Sequence, residues 1–275
     1  MSRFQNLTAI VTGGGSGIGR ALAKALAEEK ARVVITDIVP ERVEAVKQEL
    51  ADAGCRSGGY VVDHADSQAT ELFFQRFSAD WGHADILCLN AGIAIAGRIE
   101  EMELAQWRRI VDVNLFGVIH MLHYFAPGMI ARKGGSILVT ASCAGLFALP
   151  GLSAYCATKF ALVGLCESLR MELGKHNIKV CALCPGVINT QIVSDGVVHH
   201  ADDSGKSRKG MVADFYRNRG TDPSVVARHA LKGLARNQGV IPTPAHVLPG
   251  YYLRRLAPSL YAAGGRLVWK KGWLL

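Results

Sequence analysis

Tyr155 and Lys159 stand four residues apart in a stretch, 154–175, whose apolar spacing predicts a helix. The phenol and the ammonium therefore share one helix face. A free phenol, with a pKa near ~10, is a poor base at neutral pH. An adjacent ammonium and a positive nicotinamide ring both favour phenolate, which points to general acid/base work. A second chemical signal is Thr12-Gly13-Gly14-Gly15-Ser16-Gly17-Ile18-Gly19, which follows an apolar strand-like run and opens a helix-like one. Glycines there let a backbone approach a pyrophosphate, and the helix start supplies N–H groups and a positive dipole end. Asp37 follows Gly19 by 18 residues, near the spacing of an acid that accepts from a ribose hydroxyl. A carboxylate there repels a 2′-phosphate, and Thr36 and Ile38 beside it bring no cation. Arg20 is the nearest cation, of unknown direction. NAD is thus expected over NADP.

These groups need rigid elements to hold them. The first 185 residues alternate between strands, at 7–11, 32–36, 60–62, 85–89, 136–140 and 179–183, and helices. The helices are expected at 17–30, 41–53, 67–81 with Ser67 as cap, 107–130 and 154–175. Apolar runs such as Ile86-Leu87-Cys88-Leu89 suit strands covered on both faces. The fold class is α/β: one doubly wound, Rossmann-type parallel sheet of about seven strands with right-handed crossovers. The last strand is expected near Val240-Ile241, after a helix at 222–238 capped by Asp222 and opened by Pro223. Residues 1–245 form one domain. Within it, 189–219 is expected to be a mobile insertion on the substrate side, and 246–275 form a C-terminal extension.

Composition narrows the function classes. Hydrophobic residues make up 49% of the 275, charged residues 20% and aromatics 7%, which excludes a disordered tail or a coiled coil. No uninterrupted apolar run reaches the ~18 residues of a spanning helix, and no apolar signal core follows Met1. A cytoplasmic setting, with all seven cysteines reduced, is expected. Cys181 and Cys184 match C-x-x-C, but on a strand they point to opposite faces, which argues against a redox or zinc pair. His120 and His123 are spaced to share a metal but have no carboxylate on their face, and His199-His200-Ala201-Asp202-Asp203 reads as a solvated polar loop. No metal is expected. The net charge of +8 is uneven: from Pro223 to Leu275 there is no acid and there are eight basic residues, leaving 23 basic and 23 acidic residues in the first 222.

Taken together, the TGxxxGxG loop, Asp63 and Asn90-Ala91-Gly92 after the third and fourth strands, Asn114 in the long helix, Ser142 after the fifth strand and 13 residues before Tyr155, Lys159, and Pro185-Gly186 with Thr190 after the sixth strand resemble the short-chain dehydrogenase/reductase family. The resemblance covers residues 6–240. It implies that Tyr155 is the general acid or base, that Lys159 holds the nicotinamide ribose, and that Ser142 stabilises charge on the substrate oxygen. Asn114 is implied to hold a water linking Lys159 to bulk solvent. Gly13, Ser16, Gly17, Ile18, Gly19, Asp37, Asp63, Asn90, Ala91, Gly92, Pro185, Gly186, Val187 and Thr190, with Tyr155 and Lys159, are implied to bind the cofactor.

The leading reading is an NAD-dependent dehydrogenase that interconverts a secondary alcohol and a ketone. The alternatives are an NADP-dependent carbonyl reductase, a non-hydride lyase or isomerase, and a non-catalytic NAD-binding protein. Residues expected near the nicotinamide are apolar: Ile93 to Ala96, Ala144, Leu146, Phe147, Leu149 and Leu152, with no cation before Arg98. A bulky lipophilic substrate is expected, contacting Ala94, Ser142, Ala144, Leu149 and Tyr155. Apolar residues on several sides of the two long helices predict a homo-oligomer, a dimer or a tetramer. The basic, aromatic tail, with Trp269 and Trp273, fits a lid on the cleft, a subunit contact or a peripheral membrane contact. Its charge density is too low for a nucleic-acid partner.

Overall fold

A computed structural model describes residues 2–192, 194–199 and 208–270. The elements run β1 (Thr8–Thr12), α1 (Gly17–Glu28), β2 (Arg32–Asp37), α2 (Pro40–Asp52), β3 (Ser57–Val61), α3 (Ser67–Trp81), β4 (Ile86–Leu89), β5 (Ile95–Ala96), α4 (Leu104–Val111), α5 (Gly117–Arg132), β6 (Gly135–Thr140), α6 (Ser153–Gly174), β7 (Ile178–Pro185), β8 (Val197–Val198), α7 (Arg208–Arg219), α8 (Pro223–Ala235), β9 (Val240–Thr243), α9 (Leu248–Leu256) and α10 (Pro258–Lys270). Seven strands form one parallel sheet in the order β3-β2-β1-β4-β6-β7-β9, the doubly wound arrangement expected from the sequence.

Each sheet face has its own core. Phe73 and Phe77 of α3, Val118, Met121 and Met129 of α5, and Leu162 of α6 pack on one face. Leu22 and Leu26 of α1, Val46 and Leu50 of α2, and Val226, Leu231 and Leu234 of α8 pack on the other. Strand alternation sends Cys184 to the first face and Cys181 to the second, as their spacing predicts.

Several boundaries differ from expectation for local reasons. β3 begins at Ser57, earlier than the apolar signal at Tyr60, because Gly58 and Gly59 carry no strand signature yet pair with Val34 and Ile35. Their missing side chains make room: a Cβ at Gly58 would lie 2.6 Å from the Trp81 ring. The cap of α3 is Asp66, not Ser67. Its carboxylate accepts from the Gln68 and Ala69 amides at 2.8 and 3.3 Å, while the Ser67 hydroxyl is hydrogen-bonded to Tyr124. Asp222 caps α8 as predicted, accepting from the Ser224 amide at 2.7 Å, with Pro223 in the first turn.

The long helix expected at 107–130 begins at Leu104, where Glu103 and Gln106 form a capping box. It is interrupted by a π-helical turn over Asp112–Phe116. By length and composition alone, Leu104–Arg132 could cross a membrane. Here it is a core helix: Ile110, Asn114, Met121, Phe125 and Met129 are buried in the domain.

Between β7 and α8 the expected insertion contains β8, which pairs in parallel with β5 through Ile95–Val197 and Ala96–Val198, and α7. His200, Ala201, Asp202 and Asp203 of the polar loop lie outside the described residues, as do 271–275 with Lys271 and Trp273. The extension forms α9 and α10, a helix pair that the sequence pattern left unassigned.

Candidate active site

The site lies at the carboxyl ends of the strands, where chains diverge to opposite faces of a parallel sheet. After β1 the chain makes a tight turn with Gly13 at φ +61° and Gly17 at φ +50°. A Cβ at Gly13 would fall 2.9 Å from the Ala91 Cα, and one at Gly15 would fall 2.6 Å from the Arg42 Cβ and 2.8 Å from Asp37 Oδ2. Glycine is required here by close approach, not only by the turn. Ser16 caps α1 in extended conformation without spending its hydroxyl on the helix, and Gly19 is buried in its first turn. Ile18 packs partly buried against the core beneath.

Asp37 ends β2. Its carboxylate accepts from the Gly15 amide at 3.1 Å and the Val39 amide at 3.1 Å, which fixes it beside the glycine turn. Arg20 points away from Asp37 and pairs with Glu49 at 2.8 Å. The sequence reading missed Arg42. It reaches over the turn and pairs with Asp195, 2.9 Å away on the segment before β8. Its signal was available, since the N-terminus of α2 follows Asp37 by only a few residues. From the glycine turn a groove of about 790 Å³ runs along α1 toward the start of α8, lined by Gly15, Ser16, Gly17, Lys24, Thr190 and Arg228 among others. A backbone-lined floor, a helix N-terminus, cationic walls and a carboxylate on β2 fit a nicotinamide dinucleotide.

The turn after β4 is tied to this loop. Thr12 Oγ1 accepts from the Asn90 and Ala91 amides at 2.9 and 3.0 Å. The Asn90 side-chain amide donates to the Thr12 and Gly13 carbonyls, and its oxygen accepts from the Thr140 hydroxyl at 3.1 Å. Asp63, which the resemblance implies binds the cofactor, accepts from the Ala65 amide at 3.0 Å and pairs with Arg109 at 3.2 Å.

Beside it, His64 is enclosed. Thr36 Oγ1 lies 2.7 Å from its Nε2 and its carbonyl lies 2.9 Å from His120 Nδ1. Burial pushes the His64 imidazole down to about 4, against a weaker opposing pull from Asp63. His120 is thus a structural partner of His64. Among the described residues no group of three or more His, Cys, Asp or Glu side chains is placed to hold a metal ion.

At the nicotinamide end, Ser142 follows β6, is buried, and its hydroxyl accepts from the Ala144 amide at 3.1 Å. Tyr155 lies partly exposed on the first turns of α6. Lys159 is buried. Its Nζ donates to the Thr140 carbonyl at 3.0 Å and lies 5.5 Å from the centroid of the Tyr155 ring. Burial pushes the Lys159 ammonium down to about 8. Burial also pushes the Tyr155 phenol above its ordinary value, with the neighbouring Ser142 hydroxyl working the other way. At the phenol, withdrawal from water outweighs the neighbouring hydroxyl.

Asn114, in the π-turn, is fully buried. Its Oδ1 accepts from the Ile93 amide at 2.8 Å, and its Nδ2 donates to the Ile93 carbonyl at 3.0 Å and Thr158 Oγ1 at 3.2 Å. It clamps the segment just after Gly92 to α6. A Cβ on Gly92 would sit 3.2 Å from Asn114 Oδ1 and 3.4 Å from Lys159 Nζ. Gly92 thus brings three sequence-distant groups together. Thr158, which the sequence reading passed over, lies within the Tyr155–Lys159 interval and closes this clamp.

Pro185 ends β7. Gly186 donates from its amide to the Thr243 carbonyl at 2.9 Å, and Val187 accepts from the Thr221 amide at 3.0 Å. Thr190 lies over the start of α1, its Cγ2 3.1 Å from where a Gly17 Cβ would be.

Of the expected substrate contacts, Ala94 and Leu149 are partly exposed and Ala144 is 1% exposed. Ile95, Ala96 and Leu146 are enclosed in the core. From α7, Tyr216 comes close enough to Tyr155 and Cys143 for their charges to interact, a placement that no local sequence signal gave.

The comparisons agree with this geometry. A family model described as short chain dehydrogenase matches residues 7–198. The oxidoreductase EphD of Mycobacterium tuberculosis is 34% identical over 268 residues, which is 96% of this chain and 45% of EphD, so the chain spans less than half of that relative. A cyclohexanol dehydrogenase of an Acinetobacter strain is 32% identical over 195 residues, 70% of this chain and 78% of that protein. Among solved structures, a short chain dehydrogenase/reductase from Burkholderia phymatum in complex with NAD superposes with a TM-score of 0.86 at 26% identity. That match covers 94% of this chain and 96% of the other. On its sheet order, its glycine turn, its Ser142–Tyr155–Lys159 constellation and these matches, the chain belongs to the short-chain dehydrogenase/reductase family of oxidoreductases.

Proposed function

We propose that the protein is an NAD-dependent dehydrogenase that interconverts a lipophilic secondary alcohol and its ketone. The observation that carries the reading is the placement of Lys159 Nζ between the Thr140 carbonyl and the Tyr155 ring, with Ser142 beside the phenol. Hydride exchange is the chemistry a nicotinamide cofactor supplies when bound. Tyr155 then delivers a proton to the carbonyl oxygen in reduction and accepts the hydroxyl proton in oxidation. The Ser142 hydroxyl donates to the same oxygen and stabilises the charge it develops. Lys159 positions the ribose and, while charged, favours the phenolate. Asn114 keeps Lys159 and Gly92 in register, and a proton path from Lys159 to solvent through it is part of the proposal.

The preference for NAD rests on Asp37, whose carboxylate faces the glycine turn, and on the engagement of Arg20 and Arg42 by Glu49 and Asp195. The lipophilic substrate rests on Ala94, Phe147, Leu149 and Leu152, partly exposed near Ser142, and on the cyclohexanol dehydrogenase relative. Oxidation is the favoured direction, because cells keep NAD largely oxidised. Seven free cysteines suit a reducing, cytoplasmic setting. A homo-oligomer, a dimer or a tetramer, fits the exposure of Phe116 and Met171 on the long helices, and light scattering tests it, with a monomer as the contrary result.

Steady-state titration with NAD and NADP across a panel of cyclic, aryl, fatty and short polyol alcohols tests the reading. The expected result is the highest kcat/KM with NAD on a cyclic or other bulky apolar alcohol. Equal or better turnover with NADP, or a preference for a polyol or hydroxy acid, overturns it.

A further inference from the structure

We propose that the outer face of α9 and α10 is a docking surface for an anionic lipid bilayer. One side of these helices contacts the domain at a few residues, though none of α9 is buried. Gly250 sits so close to Phe147 that a Cβ would fall 3.0 Å from its ring, and Tyr251 packs against the core. Arg254 donates to the Leu146 carbonyl at 2.8 Å and stacks 4.4 Å over the Phe160 ring, and the Tyr261 hydroxyl donates to the Ala148 carbonyl at 2.5 Å. Contacts at Gly250, Tyr251 and Arg254 mark the inner side of α9, and the Tyr261 hydrogen bond marks that of α10.

The outward side is apolar where a surface helix is ordinarily polar. Tyr252, Leu253 and Leu256 line it on α9, and Leu260 and Leu267, two turns apart, line it on α10. Leu256 is 80% exposed and Leu260 64%, at the junction of the two helices. Five exposed large apolar side chains between 252 and 267 are denser than the scattered single hydrophobes that any surface carries. Arg255 and Arg266 are exposed beside it.

Charge selects the occupant. α9 and α10 hold no Asp or Glu; Arg254 is turned to the domain, and Arg255 and Arg266 are exposed. Since neither helix carries an acid, a two-fold contact of these helices with those of a second copy would set arginines against arginines. A bilayer surface carrying anionic headgroups accepts both features at once. Leucines and tyrosine enter the headgroup–acyl boundary, and the guanidinium groups meet phosphates. The surface stands independently of the substrate reading, since none of its residues is needed for hydride transfer.

Co-sedimentation of the full chain with phosphatidylcholine vesicles, with and without phosphatidylglycerol, is the test. The chain is expected to bind the anionic vesicles at least about tenfold better than the neutral ones, and less well at high salt. Two double variants separate the contributions: Leu256→Asp with Leu260→Asp, and Arg255→Glu with Arg266→Glu. All four side chains are exposed, so both variants are expected to keep the wild-type melting temperature while losing at least about tenfold in vesicle binding. No binding of the wild-type chain to anionic vesicles, equal binding to neutral ones, or undiminished binding by both variants overturns the proposal. Light scattering gives a further contrary result: a larger particle that the leucine variant dissociates, with no vesicle binding by the wild type, would make this face a contact between copies.

Discussion

Lys159 Nζ lies 5.5 Å from the centroid of the Tyr155 ring while donating a 3.0 Å hydrogen bond to the Thr140 carbonyl. The ammonium is thus anchored to the end of β6, and the phenol rides one helical turn before it on α6. Burial acts on the two groups in opposite senses. It lowers the lysine to about 8 and raises the tyrosine, so burial works against the charged form of each, while the lysine remains mostly protonated at neutral pH. A charge brought to this pocket therefore shifts both equilibria.

Removing the Tyr155 hydroxyl while keeping its ring leaves the pocket shape intact. Tyr155→Phe is expected to lower kcat by about three orders of magnitude or more with NADH affinity within about threefold of wild type. Lys159→Met is expected to impair both. Stopped-flow turnover and NADH fluorescence titration read the two quantities separately. A Tyr155→Phe enzyme that kept more than about a tenth of the wild-type rate would refute the assigned chemistry.

Asp37 accepts from the Gly15 and Val39 amides. Replacement by serine removes a negative charge and leaves the turn able to form. Asp37→Ser is expected to cut kcat/KM with NAD by at least about tenfold and to raise it with NADP, drawing Arg42 from Asp195 toward the added phosphate. The ratio of the two kcat/KM values measures this. An unchanged ratio would count against Asp37 as the discriminating group.

Asn114→Ala strips three hydrogen bonds from a fully buried site, two of them to the Ile93 backbone. The Ile93 amide and carbonyl and the Thr158 hydroxyl are left without this partner. A loss of about 3 kcal/mol in unfolding free energy is expected, read from urea denaturation. Asn114→Asp, which keeps the acceptor for the Ile93 amide but loses the donor, should lose stability as well.

His64 makes the chain acid-sensitive in a defined window. Its folded pKa of about 4 lies below the ordinary 6.5, so the unfolded chain binds more protons between these values. Stability from this group is complete above about pH 6.5 and is lost as pH falls through 4. The full effect is on the order of 3 kcal/mol. His64→Leu loses the hydrogen bond with Thr36 and starts less stable at pH 7, yet its melting temperature is expected to decline less steeply between pH 6.5 and 4. Parallel pH–melting curves for the two proteins would show that His64 is not the buried titrating group.

The elements that hold the chemistry were legible because each carries its own local signature. Apolar runs on β1, β4 and β7, the glycine turn at 12–19, and the Asp222–Pro223 start of α8 are short-range patterns with short-range causes. Asp37, Tyr155 and Lys159 could be named from residue type and spacing, and Ser142 from the family resemblance.

Where the cause lies in a distant residue, the sequence was silent. Gly58 pairs as a strand because Trp81 packs over it, and the π-turn at Asp112–Phe116 places Asn114 against Ile93 and Thr158. Arg42 meets Asp195 across 153 positions of chain, and Tyr216 is carried to Tyr155 by a helix with no amphipathic pattern of its own. The direction of the Tyr155 shift and the outward face of α9 and α10 belong to the same class. Desolvation and exposure depend on everything packed around a group, and only the tertiary structure assembles those neighbours.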